Sequence, residues 1–124
     1  MDDSPDWDPV RALAHGVLNQ GIPLELTDDV RSLLRRTARE VAISDADTAL
    51  QTEAGATELL REAMRRIKDG SWRLMRALHR MYQHKRAGDF DSARQEMREV
   101  LAEEVVPFYR DVAAGQLEDL DDEP

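Results

Sequence analysis

The sequence predicts an all-α fold, a small helical bundle built on a long antiparallel helical hairpin. Apolar residues recur every three or four positions and not every two. The chain is rich in Arg, Ala, Leu, Glu and Met, which are good helix formers. Its 124 residues match the size of one domain. We predict a flexible acidic N-terminus over residues 1–8, a single helical domain over 9–117 and a disordered acidic tail over 118–124.

The first helix is predicted from about Pro9 to Asn19. Asp8 is a good N-cap residue, and a proline is well suited to the first helical position. Gly21 is expected to stop the helix in a left-handed conformation. Residues 22–26 then form a short extended connector, because the proline within them disfavours helix for the residue before it.

The second helix is predicted to start at Thr27, and Ser44 is expected to cap the helix that follows it. In the next segment, the helical spacing of the apolar residues continues past two glycines. Each of these glycines destabilises a helix by about 1 kcal/mol relative to alanine. We therefore predict a minor break near Gly55, continuity through Gly70 and a long helix over about residues 57–87.

The last helix is predicted to follow a turn at Gly88, with Asp89 as its N-cap. Pro107 lies inside this helix and should kink it. The long helix and the last helix are of matched length and form the antiparallel hairpin. Their apolar stripes predict the core, to which we assign Met64, Leu74, Met75, Leu78, Met81, Tyr82 and Met97.

Charge is unevenly distributed along the chain. The formal net charge is -9, yet residues 31–86 hold 13 Lys and Arg against 7 Asp and Glu. A net acidic chain is repelled by the phosphates of nucleic acid, so a nucleic-acid partner is disfavoured. The chain has no cysteine and no apolar run long enough to span a membrane. We expect a cytoplasmic protein with no membrane association.

No catalytic, metal or cofactor motif is present in the sequence. The six glycines are too far apart for a phosphate-binding loop. His79 and His84 are five residues apart and cannot share one ligand face of a helix, and no glutamate lies three residues before any histidine. We predict a protein that is not an enzyme and has no cofactor.

An arginine stripe is the first candidate binding surface. It comprises Arg73, Arg76 and Arg80, with Arg65 on the same side and Trp72 on its flank. A helical wheel places it opposite Leu60, Ile67, Leu74 and Leu78, so we expect it to face away from the hairpin core. It is either a docking face for an acidic partner or a solvated face with intrahelical ion pairs.

A glutamate stripe is the second candidate, on the outer side of the last helix. Glu96, Glu99 and Glu103 would form an acidic surface together with the tail. Such a surface either mimics phosphate or only aids solubility. Glu104 falls between two apolar positions, and it either snorkels at the boundary or is buried with a partner.

Several blocks of this sequence resemble the DUSAM domain. The first is Trp7-Asp8-Pro9-Val10-Arg11-Ala12-Leu13, and the last is Val100-Leu101-Ala102-Glu103-Glu104-Val105-Val106-Pro107-Phe108-Tyr109-Arg110. Between them lie Leu24-Glu25-Leu26-Thr27-Asp28, Leu33-Leu34-Arg35-Arg36 and Arg39-Glu40-Val41-Ala42-Ile43. The resemblance runs over about residues 7–117. It implies a paralogous family of soil bacteria and transfers no activity and no site residue.

Three functional hypotheses follow. The first is a non-enzymatic helical protein–protein interaction module, regulatory or adaptor-like. The second is an acidic inhibitor or immunity protein that occludes a basic toxin or nuclease. The third, less favoured, is a helical nucleic-acid binder that uses the basic middle of the chain. A homodimer is compatible with all three.

Overall fold

The computed structural model describes residues 4–122 and confirms an all-α helical bundle, with no strand in that range. Its elements are α1 (Asp8–Ala14), a π-helical segment (His15–Asn19), α2 (Asp28–Glu40), α3 (Ala46–Ala49), α4 (Glu53–Arg86), α5 (Phe90–Glu103) and α6 (Pro107–Asp121). The chain forms two compact units, residues 1–67 and residues 68–124. Because α4 crosses residue 67, it contributes turns to both units.

In the first unit, helix α1 begins one residue earlier than the sequence predicted. Trp7, not Asp8, occupies the N-cap position of α1, and its side chain is buried. Residues 7 and 8 therefore belong to the folded unit and not to a flexible N-terminus, because burial of the indole holds the chain there. The predicted extension to Asn19 is confirmed, and Gly21 follows with a φ of 72°.

The end of α2 uses an alanine where a glycine is usual. Ala42 has a φ of 62°, and its N–H donates to the carbonyl of Arg39 at 3.2 Å. The N–H of Ile43 donates to the carbonyl of Ala38 at 2.8 Å, which completes a Schellman motif. Without the usual glycine signal, this stop was not predictable from composition.

The predicted cap at Ser44 is wrong. Asp45 precedes α3 in a left-handed conformation with a φ of 64°, and no side chain caps the four-residue helix. An ion pair supports α3 instead, because Arg35 Nε lies 2.7 Å from a carboxylate oxygen of Asp47.

The long helix α4 runs through Gly70 without interruption, as predicted. The break near Gly55 is also present, at residues 50–52, and Gly55 itself lies in the first turn of α4. Thr52 stabilises that turn, since its hydroxyl accepts from the N–H of Gly55 at 3.0 Å. None of the helices within residues 4–122 combines the length and the apolar character that crossing a membrane requires.

The first unit buries the apolar faces of α1, α2 and the first part of α4. Thr37 is buried with them, and its hydroxyl donates to the carbonyl of Leu33 at 2.9 Å. The core of this unit consists of Trp7, Val10, Ala14, Leu24, Leu34, Ala38, Val41, Leu50, Ala56, Leu59, Leu60, Ala63 and Ile67.

In the second unit, the hairpin turn is as predicted. Gly88 has a φ of 78°, and the carboxylate of Asp89 accepts from the N–H of Ser92 at 3.0 Å. The predicted match in length is wrong, because α4 has 34 residues and α5 has 14.

Pro107 does not kink a continuous helix, so the predicted kink is wrong. The chain is extended at Glu104 and Val106, and Pro107 is the first residue of α6. Proline is favourable there because the N–H it lacks has no partner within a helix at that position.

The predicted disordered tail is helical as far as Asp121. Leu120 is buried, and Arg94 of α5 donates to its carbonyl at 2.9 Å. Arg94 Nε also lies 3.0 Å from a carboxylate oxygen of Asp121. An apolar anchor and a guanidinium cap thus order a segment whose composition alone indicates disorder. Residues 123–124 of the predicted tail, and residues 1–3 of the predicted N-terminus, lie outside the described range.

The core of the second unit lacks three of the residues that the sequence predicts for it: Leu78 is half-buried, and Met75 and Tyr82 are exposed. Met75 is 62% exposed and Tyr82 is 47% exposed, although both keep the apolar phase of α4. Met81 and Met97 are fully buried, as predicted. The apolar core of this unit consists of Leu74, Ala77, Met81, Ala93, Met97, Val100, Val106, Tyr109, Ala113 and Leu120.

We predict that Ala42→Gly stabilises the protein by about 1 kcal/mol, because glycine adopts a positive φ without the steric cost that alanine incurs. Ala114→Gly, at an exposed position inside α6, is the matched control and should destabilise by about 0.5–1 kcal/mol. Urea unfolding followed by circular dichroism measures both changes. Two changes of the same sign would contradict the left-handed assignment.

Candidate functional site

A charged groove between α4 and α5 lies wholly within the second unit. One wall is formed by Arg73, Arg76 and Arg80 of α4, and the other by Glu96, Glu99 and Glu103 of α5. Both sets are spaced three and four residues apart, which places each set on one face of its helix. The buried side chains of Ala77 and Val100 also line the groove. Trp72 lines it as well, with 59% of its surface exposed. The volume of the groove is about 370 Å³.

Ion pairs cross the groove in an antiparallel register. Arg80 Nε donates to both carboxylate oxygens of Glu96 at 2.8 Å. Seven residues earlier in α4, Arg73 Nε lies 3.5 Å from the carboxylate of Glu103, seven residues later in α5. These pairs neutralise most of the charge at both ends of the groove.

The middle of the groove retains charges that the fold does not pair. Within residues 4–122, the guanidinium of Arg76 has no ion-pair partner, and Glu99 accepts only from the amide of Gln95 at 3.4 Å. The groove therefore offers one cation and one carboxylate, beside an exposed indole, to a molecule that enters it.

The predicted orientation of both stripes is wrong. The arginines face α5 and not away from the hairpin, and the glutamates face α4 and not the outer side. The wheel placed the buried face too far from the arginines because it omitted two small buried residues, Gly70 and Ala77. Each residue turns the helix by about 100°, so the centre of the arginine stripe lies roughly 100° around α4 from the centre of the buried face.

Arg65 is the one predicted site residue that does not line the groove. It belongs to the first unit, where its Nη2 donates to the carboxylate of Glu62 at 2.7 Å. This hydrogen bond is the largest cause that holds the pKa of Glu62 below its ordinary value, and a hydrogen bond from Arg66 acts in the same direction. The other seven predicted residues are brought together by the fold, around a single cleft.

Glu104 is buried, with 1% of its side chain exposed, and the boundary interpretation is wrong. One carboxylate oxygen accepts from Arg73 Nη1 at 2.8 Å. The other accepts from the N–H of Val105 at 3.0 Å and of Val106 at 2.9 Å. The carboxylate thus satisfies backbone donors ahead of α6 while it orients an arginine of the groove. The position of Glu104 between two apolar residues is visible in the sequence, whereas its partner Arg73 lies 31 residues away.

Gly70 is needed for the close approach of α4 and α6. A Cβ at this position would overlap the ring of Tyr109 at Cδ2 and lie 2.8 Å from Oε1 of Glu104. The Tyr109 ring is buried and cannot shift freely. Gly70 lowers the intrinsic helix propensity of α4, yet its missing side chain is what lets Tyr109 and Glu104 contact this helix beneath the groove.

The helix ends near the groove are capped by guanidinium groups. Arg110 Nη1 of α6 donates to the carbonyls of Leu101 at 2.6 Å and of Glu104 at 2.9 Å. Because these carbonyls lie at the end of α5, the bonds compensate for the hydrogen bonds lost where the helix stops. In the part of the chain that the structure describes, no three His, Asp or Glu side chains are placed to hold a metal ion.

Comparison with known proteins identifies a family. A family model described as "Protein of unknown function (DUF2379)" matches residues 5–120, and the chain belongs to this family. No curated protein matches the chain. No solved structure matches it either.

We predict that Gly70→Ala destabilises the protein by about 1–3 kcal/mol, because the added methyl group overpacks against Tyr109. Gly115→Ala is the matched control: it lies in α6 with nothing within 4 Å of the added Cβ. It should stabilise by about 0.5–1 kcal/mol through helix propensity. Thermal and urea unfolding of both variants measure the difference, and a stabilised Gly70→Ala variant would refute the close contact.

We predict that Glu104→Ala destabilises by about 3 kcal/mol, because it leaves Arg73 Nη1, the buried N–H of Val106 and the partly buried N–H of Val105 without their acceptor. Glu103→Ala serves as control: its side chain is 73% exposed, and its surface pair should contribute less than about 0.5 kcal/mol. A double-mutant cycle with Arg73→Ala measures the coupling. A coupling near zero for Arg73 and Glu104 would contradict the assigned pair.

Proposed function

We propose that this member of the DUF2379 family is a non-enzymatic helical protein–protein interaction module, regulatory or adaptor-like. The partner docks over the groove between α4 and α5. The observation that carries the proposal is the arrangement at the middle of the groove, where Arg76 and Glu99 lack ion-pair partners among the described residues and Trp72 is exposed beside them.

The residue types at this surface support a protein partner. Trp and Arg are enriched among the residues that contribute most to protein–protein binding, since each supplies a large contact area and a directed polar group. The neighbouring pairs Arg73–Glu103 and Arg80–Glu96 are already formed in the fold. They order the side chains around Arg76 before a partner arrives, which lowers the entropic cost of binding.

The charge pattern disfavours nucleic acid and a basic toxin as the occupant. Three glutamates face the three arginines of the groove, so a phosphate backbone would meet as much repulsion as attraction. An inhibitor that mimics phosphate needs free carboxylates, yet Glu96 and Glu103 are engaged by arginines. A partner surface that carries both signs of charge fits best.

Two further expectations stay part of this proposal. The first is the resemblance to the DUSAM domain. It covers about residues 7–117, which is nearly the stretch that the family model matches. The cytoplasmic location expected from the sequence is proposed on composition alone.

The test is recovery of a partner from the native cells with tagged protein at moderate salt, identified by mass spectrometry. We expect one stoichiometric protein, and at least about a tenfold lower recovery with Trp72→Ala or with Arg76→Ala/Glu99→Ala. Arg98→Ala is the control: it removes an exposed arginine of α5 that does not line the groove. Equal recovery by all variants of unchanged melting temperature, or recovery of nucleic acid alone, would exclude this function.

A further inference from the structure

The second unit exposes an apolar face of α4 that is distinct from its buried face. Trp72, Met75 and Tyr82 are 59%, 62% and 47% exposed, and they are three of the five large exposed hydrophobic residues of the chain within residues 4–122. His79 is exposed between them. We call these four residues the aromatic seam. Their spacing of three, four and three residues places them in one line along the helix.

The seam continues in both directions as a heptad pattern. Lys68 precedes Trp72 by four residues and Arg86 follows Tyr82 by four, and both are exposed. The alternation of four and three is the spacing with which one helix packs against another in a coiled coil. At 1.5 Å per residue, the line from Lys68 to Arg86 is about 27 Å long, or about five turns.

The seam is not an edge of the core. At about 100° per residue, its centre lies roughly 150° from the centre of the face that buries Leu74, Ala77 and Met81. An apolar line on the side opposite the core is unfavourable in water unless it is covered. The second unit therefore has an apolar helix face with no cover in the described chain.

Positive charge surrounds the seam. Lys68 and Arg86 occupy its ends and Arg76 its flank, while Asp69 is the one acidic residue in the flanking positions. A hollow of about 460 Å³ lies at the C-terminal end, lined by His79, Tyr82, Lys85 and Arg86. An occupant with apolar residues toward the seam and carboxylates at its margins would satisfy this pattern.

We propose that the aromatic seam binds an acidic amphipathic helix of a protein partner. The inference rests on the proposed function, because Trp72 belongs to both the seam and the groove, and it names the class of partner. The apolar stripe of the incoming helix packs on Trp72, Met75 and Tyr82. Its Asp and Glu side chains reach the cations at the margins, which makes docking selective against basic helices.

Charge argues against a second copy of the chain as the occupant. In an antiparallel pair of α4 helices, Lys68 of one protomer lies beside Arg86 of its partner. In a parallel pair, each of these cations lies beside its own counterpart. Like charges at such distances are destabilising, so self-association through the seam is disfavoured.

The test is a selection from displayed helical peptides with fixed Leu and Ile at heptad spacing and random Glu, Lys or Gln at the flanks. The target is the full chain, with counter-selection on Met75→Glu. We expect enriched peptides to have acidic flanks and to bind Met75→Glu at least about tenfold more weakly. Ala114→Glu, which adds the same charge at an exposed position of α6, should bind as the native chain does. Lys68→Glu/Arg86→Glu should reverse the preference toward basic flanks.

Three results would overturn the inference. They are the absence of enriched peptides, enrichment of neutral or basic flanks, and a concentration-dependent dimer in light scattering that Met75→Glu abolishes. The two proposals fail separately. If a native partner is lost with Arg76→Ala/Glu99→Ala but is still bound by Met75→Glu, the interaction-module proposal holds and the seam proposal fails. Acidic peptides that bind the seam when no native partner is recovered would leave the seam standing alone.

Discussion

The structure of the second unit depends on the buried carboxylate of Glu104. A buried carboxylate is unfavourable unless each oxygen is hydrogen-bonded, and here one oxygen is bound by Arg73 while the other accepts two backbone N–H groups. These bonds stabilise an extended break between α5 and α6. The same carboxylate lies against Gly70, the position at which α4 has no side chain. One interaction therefore sets the break, the approach of α4 and the position of an arginine in the groove.

Several helix C-termini are capped by the guanidinium group of an arginine from another helix. Arg110 of α6 binds carbonyls at the end of α5, and Arg94 of α5 binds the carbonyl of Leu120 near the end of α6. In the first unit, Arg66 of α4 donates to the carbonyls of Val41 and Ala42 at the end of α2 at 3.0 and 2.9 Å. Each bond joins one helix to the terminus of another, and it is also favoured by the partial negative charge at helix C-termini. These three arginines thus stabilise the fold, because each places its guanidinium on the carbonyls of another helix end.

The charge that remains after pairing explains the character of the groove and of the seam. Most charges of the arginine stripe are paired with charges of the glutamate stripe across the groove. The groove is therefore close to neutral, with charges at Arg76 and Glu99 that stay unpaired within the described chain. The aromatic seam has no acidic helix opposite it in the described chain, and its margins stay basic. Side by side on α4, the two surfaces provide a polar site that sets orientation and an apolar site that provides contact area.

Local chemistry in the sequence was sufficient for the class of fold and for several of the helix ends. Gly21, Gly88 and Asp89 act as the sequence predicted, because caps and left-handed turns depend on residues a few positions apart. Continuity through Gly70 also followed from periodicity. Seven of the eight candidate residues proved to lie together, yet their orientation was decided by tertiary contacts. The facing of the stripes, the burial of Glu104, the order of the C-terminal segment and the exposure of Met75 all depend on pairs such as Arg73–Glu104 and Arg94–Asp121. Those residues are about thirty positions apart in sequence, a separation at which helical periodicity carries no information about which side chains meet.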